Sequence, residues 1–263
     1  MTSLRIHIEG IGFWAPSLPS WPIARAAFQG IGGPVEPPAK RPSPEILAPA
    51  ERRRAPDSVA LALEVAAAAV RESGRDAATL PSIFTSAHGD LAVNDYMSST
   101  LATQPTLISP TRFHNSVHNA SAGYWTIATE CRAASTALTA FGTSFAAGLL
   151  EAATQCIADD RAVLLVAYDV QAVGALASVA KSEGLLAAAF VVAPGSDLAS
   201  QPVFDATLVS GPTSAAALRS NAGRALAGNA MADMLPFLEA LALDASGTLD
   251  LPLSRTLALR LVR

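Results

Sequence analysis

The side chains with which this sequence could do chemistry are few: four histidines, two cysteines and a serine beside a predicted turn. His114, Asn115, His118 and Asn119 crowd the segment RFHNSVHNAS. Two imidazoles beside two amides suit a general base held by an orienting amide, or a pair that polarises a carbonyl. The same residues also suit a hydrogen-bonded loop that caps the next helix. His88-Gly89-Asp90 follows a predicted strand end, where α/β folds collect ligands, or else makes an Asp/Gly turn. STALTAFGTSFAAGLLEA (Ser135–Ala152) reads as a strand, a tight turn and a helix. At such a turn a helix N-terminus stabilises a developing anion beside a nucleophile. The tip here is Phe141-Gly142, GTSF lacks the second glycine of G-x-S-x-G, and Thr143 or Ser144 reads as the helix cap. Cys131 ends a helix, whose dipole opposes a thiolate. Cys156 falls on an apolar helix face and reads as packing.

Composition sets the frame for these groups. The 263 residues are 51% hydrophobic and 15% charged, which suits a substantial core. The net charge of −4 argues against a nucleic-acid partner. The cysteine and histidine spacings predict neither a disulfide framework nor a metal site, and no cofactor is expected. MTSLRIHIEG has no cationic segment followed by an apolar run, and no run reaches membrane-spanning length. The expectation is a soluble cytoplasmic protein.

The positioning elements follow from periodicity. Leu4–Trp14 alternates as a strand, and WPIARAAFQG is a short helix stopped by Gly30. Gly33–Pro56 holds seven prolines and the run Arg52-Arg53-Arg54. It reads as an extended surface loop, and the arginines as a dock for an acidic partner or a solvated face. PDSVALALEVAAAAVRESG is a helix capped at Asp57 or Ser58, with Val59, Leu63, Ala66 and Val70 on one face. SIFTSAHGD is a buried strand, Asn94–Gln104 a helix, SPTRFHNSVHNASAG a loop, and Ser121–Cys131 a helix. Thr136–Ala140 is the strand before the turn. Phe145, Leu149, Ala152 and Cys156 share one face of the helix after it. RAVLLVAYDV and GLLAAAFVVAP read as strands buried on both faces. Alternating strands and helices predict a single α/β domain. In the tail from Ser196, VFDATLV is a candidate strand. Ser214–Ala227 and Asn229–Leu243 look helical, with a kink at Pro236, and TLDLPL with RTLALRLV suggests a hairpin.

The serial order of these pieces resembles the N-terminal half of a β-ketoacyl synthase, within the thiolase superfamily. IHIEGIGFWAP, LALEVAAAAVRESG, PTRFHNSVHNASAGYWTIA, TALTAFGTSFAAGLLEA, RAVLLVAYDV and SEGLLAAAFVVAP carry the resemblance over residues 4–194. More narrowly, WAPSLPSWP, ERRRAPDSVALALEVA, SAHGD and LLVAYDV are similar to the short, chain-length-factor-like family whose members accompany type II fatty-acid-like and aryl polyene pathways. The resemblance implies a thiolase-like half, a five-stranded mixed sheet between helices. It also implies pairing through Thr136–Ala140, with an active ketosynthase or a second copy. Residues 196–263 would be a divergent C-terminal extension.

Two departures shape the functional expectation. The ketosynthase nucleophile falls at Phe141, which cannot form a thioester. The C-terminal half, which supplies the paired His or His and Asn, is abbreviated, and His114 and His118 precede the turn. The resemblance therefore implies a catalytically silent subunit assisting a ketosynthase, with an acyl carrier protein docking through Arg52, Arg53 and Arg54. Two alternatives stay open. One is an acyltransferase or thioester hydrolase combining His88, His114 or His118 with Cys131 or Ser144. The other is a non-catalytic acyl or coenzyme A binding module.

Overall fold

The computed structural model describes residues 3–195 and 202–263. Its core follows from two apolar runs. They form β4 (Val163–Asp169) and β5 (Leu186–Pro194), paired antiparallel. Every residue of β4 is buried, because alternate side chains enter different cores. Val163, Leu165 and Ala167 face one core, and Leu164, Val166 and Tyr168 face the other.

On β4's other side lies β2 (Ser82–Thr85), parallel to it, and then β3 (Ser135–Leu138), parallel to β2 and at the sheet edge. Beyond β5 runs β1 (Leu4–Trp14), antiparallel. These five strands are the sheet the resemblance implied, but they are not the whole sheet. The order is β3-β2-β4-β5-β1-β6-β8-β7, eight strands. The count of five is corrected because the tail extends the same sheet. β6 (Val203–Ser210) pairs with Leu4–His7 of β1, and the hairpin of β7 (Thr248–Pro252) and β8 (Leu257–Val262) pairs with β6. Leu259 and Leu261 of β8 are buried, as their alternation requires.

Helices cover both faces. α3 (Asp57–Ser73) buries Val59, Leu63, Ala66 and Val70 on one face, and α6 (Ala120–Ala128) joins it there. α1 (Trp21–Phe28), α7 (Ser144–Ala158) and α9 (Leu235–Ala242) cover the other. Phe145 of α7 meets Phe190 and Phe237, with centroids 5.6 and 5.7 Å away. α3 lies almost on the backbone of β1. A Cβ at Gly12 would stand 1.9 Å from the Val65 carbonyl oxygen, and one at Gly10 2.2 Å from that of Ala69. The glycines of GIG are therefore required by close approach.

Several local expectations are corrected. α2 (Pro49–Arg54) and α5 (Pro110–His114) are short helices where loops were expected. Their prolines sit in the first turn, where a missing N–H costs nothing. α4 spans Leu91–Thr103, capped by the Asp90 side chain on the Val93 N–H. α3 is preceded by Pro56, with no side-chain cap from Asp57 or Ser58. Only Asn221–Leu226 (α8) of the 214–227 segment is helical, and Pro236 opens α9 instead of kinking a longer helix. Ser196–Gln201, where the tail was expected to begin, lie outside the described residues.

Candidate functional site

Between β3 and α7 the chain makes a 3-10 turn over Phe141–Thr143. Phe141 takes φ +49°, the left-handed region that a residue with a Cβ enters at a cost. Its conformation is held from below. The Ser144 hydroxyl donates to the Phe141 carbonyl at 2.7 Å and accepts the Ala140 N–H at 3.0 Å. Thr143 Oγ1 donates to the Ala140 carbonyl at 3.0 Å. Neither hydroxyl caps α7 as the sequence suggests; Ser144 is fully buried as a staple of the turn. The Phe141 ring is 70% exposed, so it neither fills a pocket nor packs in the core.

The N-terminus of α7 is served by a residue the sequence reading missed. Asp233 Oδ2 accepts the N–H groups of Phe145 at 2.9 Å and Ala146 at 3.3 Å. These donors would otherwise be free for an anion. Its Oδ1 is buried without a partner. Burial raises the carboxyl to about 7, against the pull of the Ala146 and Phe145 N–H bonds. Asp233 also lines a cavity of about 470 Å³ beside Gly142 and Thr143. Nothing periodic in MADMLP marks this aspartate; only its distant fold partner gives it a role.

A second polar cluster forms where β2 and β4 end. Asp169 accepts from Ser86 Oγ and Ala87 N–H, both at 2.8 Å, and from His88 N–H at 3.3 Å. Burial raises its pKa despite these bonds. Here a sequence signal existed: a carboxylate closing a fully buried strand must find donors. His118 Nε2 donates to the Ser86 carbonyl at 3.2 Å, and Thr139 Oγ1 to that of Ala87 at 3.1 Å.

The structure thus brings His88 and His118 to one small cavity of about 100 Å³, with Asn115, Asp90, Ser121 and Tyr168. His114 is turned away, its ring 6.1 Å from that of Tyr124. Cys131 lies at the opposite end of β2, its thiol donating to the Leu80 carbonyl at 3.3 Å. Cys156 is fully buried on α7, and burial pushes its thiol up to about 12. The hydrogen bonds of Cys131 and Ser144 run to backbone groups and not to a histidine. Among the described residues no three His, Cys, Asp or Glu side chains gather to hold a metal ion. No helix among them is long and apolar enough to cross a membrane.

The basic run splits. Arg52 is turned inward, its Nη2 donating to the carbonyls of Leu47 at 2.9 Å and Glu45 at 3.3 Å. Arg53 is exposed, and Arg54 lines a cleft with residues of α4 and α5.

Comparison with known proteins places this geometry. The family model described as β-ketoacyl synthase, N-terminal domain matches residues 31–248. No curated protein matches the chain. Among solved structures it is similar to a chain of the ketosynthase (ApeO) in complex with its chain length factor (ApeC) from Xenorhabdus doucetiae. The TM-score is 0.75 at 23% identity, covering 98% of this chain and 99% of that one. The ishigamide ketosynthase/chain length factor gives 0.70 at 14%, covering 98% and 99%. A chain of the AntDE:AntF complex, a type II polyketide synthase acyl-carrier protein with its ketosynthase bound to the hexaketide, gives 0.74 at 10%, covering 99% of each. The fold is thiolase-like, of mixed α/β type.

Proposed function

The chain belongs to the β-ketoacyl synthase N-terminal domain family, and on that premise we propose that it is a catalytically silent, chain-length-factor-like subunit. It works in the cytoplasm beside an active ketosynthase of a type II fatty acid or aryl polyene-type polyketide system. It is one thiolase-like domain, with residues 196–263 as its divergent extension.

The observation that carries this reading is Phe141. The strand, turn and helix of a nucleophile site are kept, yet the tip holds a hydrocarbon ring that no thioester chemistry can use. Two N–H groups in the first turn of α7, donors that could serve an anion, are already bonded to Asp233. Partnership is supported by the edge at β3. It offers strand backbone for pairing, and beside it Ile127 of α6 and Phe141 just after the strand are 73% and 70% exposed. An acidic carrier protein would meet Arg53, the exposed member of the run that neither bonds inward nor lines the cleft.

The test is co-expression with a ketosynthase of such a system. A 1:1 complex by size-exclusion chromatography, with condensation abolished by mutating the ketosynthase's own nucleophile, is expected. Condensation by this chain alone would sink the reading. A second reading, an acyl or coenzyme A thioester binding module, draws support from the cavity beside Gly142 and Thr143. Native mass spectrometry showing no bound acyl species would remove it.

A further inference from the structure

Away from Phe141, a cleft of about 520 Å³ opens between α2, α4 and α5, over the chain that leaves β4. Its size is that of a small-molecule site. Its walls are amphipathic: Val93, Val170 and Leu185 supply apolar surface, and Arg54 and Arg112 supply two guanidinium groups from separate helices.

The charges in this cleft are not equally free. The carboxylate of Asp57 is 3.3 Å from Arg41. The carboxylate of Asp90 accepts the Ser58 hydroxyl at 2.7 Å and the Val93 N–H at 3.1 Å. The guanidinium of Arg54 has no partner among the described residues. That of Arg112 lies over the Tyr96 ring, 4.0 Å from its centroid, with no carboxylate beside it. The acids are engaged and the bases are open, so the cleft favours an anion.

At its inner end stands Asn115, 6% exposed, whose Oδ1 is buried without a hydrogen-bond partner. Such a group is costly to leave unsatisfied and calls for a donor. Asn115 lines both this cleft and the small cavity that holds His88 and His118. The residue therefore borders the cleft, although Oδ1 itself is covered, and a donor there meets it only as the amide turns toward the cleft.

We propose that this cleft binds an organic anion that also carries a hydroxyl or amide hydrogen: the anion between Arg54 and Arg112, the hydrogen on Asn115 Oδ1, and the carbon chain along Val93, Val170 and Leu185. The anion can be a carboxylate or a phosphate ester, since both suit a pair of guanidinium groups. The proposal does not depend on the chain having a ketosynthase partner.

Isothermal titration calorimetry on the full chain tests it, with 3-hydroxyoctanoate and glycerol 3-phosphate as the two anion sources and octanoate as the control without a donor. Saturable binding of at least one hydroxylated probe is expected. Arg54→Gln and Arg112→Gln, both exposed positions, should each weaken it about tenfold, the worth of a charge-assisted hydrogen bond. Octanoate should bind about tenfold more weakly than 3-hydroxyoctanoate if the carboxylate is the source. A response to glycerol 3-phosphate alone assigns the phosphate ester. No saturable binding of either, or binding unchanged in both arginine variants, overturns the proposal. Equal affinity for octanoate and 3-hydroxyoctanoate removes Asn115 from it and overturns the donor requirement.

Discussion

The Oδ2 atom of Asp233 stands 2.9 Å from the backbone nitrogen of Phe145, so a residue from the chain's tail closes the N-terminus of the helix behind the nucleophile-like turn. The pH dependence follows from its raised pKa. An ordinary unfolded aspartate titrates near 3.8, whereas the folded group titrates near 7, chiefly because burial disfavours its charge. The folded state therefore binds the extra proton between these values, and stability from this group falls as pH rises from about 4 through about 7. Asp233→Asn keeps an oxygen for the two N–H groups and removes the titration. Urea unfolding should show the variant gaining on the wild type by 1 kcal/mol or more, roughly, between pH 5 and pH 8. Parallel stability curves would contradict the assignment.

Phe141 should separate folding from association. Its left-handed backbone costs the isolated chain about 1 kcal/mol, and its exposed ring returns little. Phe141→Gly is expected to leave the isolated chain as stable or up to about 1 kcal/mol more stable. The same change should weaken the complex with a ketosynthase by about tenfold or more, as loss of an aromatic anchor does. Thermal unfolding and analytical ultracentrifugation read the two effects. A variant that destabilises the lone chain without touching association would assign the ring to the fold.

Gly12→Ala should be among the most damaging single-methyl changes in the protein. The new Cβ would stand 1.9 Å from the Val65 carbonyl oxygen, against helix backbone that has no rotamer to yield. A loss of roughly 3 kcal/mol or more is expected, at or above the usual upper range for overpacking. Chemical denaturation measures it. Gly142→Ala, where no atom lies within 4 Å of the added methyl, serves as the control.

Both thiols should be silent in the native protein. Cys131 and Cys156 are buried, and burial pushes the Cys156 thiol up to about 12. Maleimide labelling followed by mass spectrometry is expected to find neither modified at pH 7.5, and both modified in guanidinium. Rapid native labelling of Cys131 would reopen it as a reactive group.

The candidate site was legible in part. Strand, turn and helix around Phe141 followed from periodicity and the glycine, and the packing face of Phe145, Leu149, Ala152 and Cys156 is buried as read. The histidine segment was found but not sorted. Sequence spacing cannot say that His118 turns to the Ser86 carbonyl while His114 turns to Tyr124. Asp233 was passed over because it acquires its donors from residues more than eighty positions away, and Asp169, though its place at the end of a buried strand calls for donors, finds them equally far off.

By itself the sequence determined the strands β1, β2, β4 and β5, the long helices α3 and α7, and the two-faced burial of β4 and β5. These depend on local periodicity. The tertiary structure alone decided that β6, β7 and β8 widen the sheet to eight strands. Pairing with the first residues of β1 is a contact across about two hundred positions that no local pattern encodes. It also decided that Phe141 points outward and that the positive end of α7 is held by Asp233. The direction of a side chain and the satisfaction of a helix end depend on what the rest of the chain brings alongside.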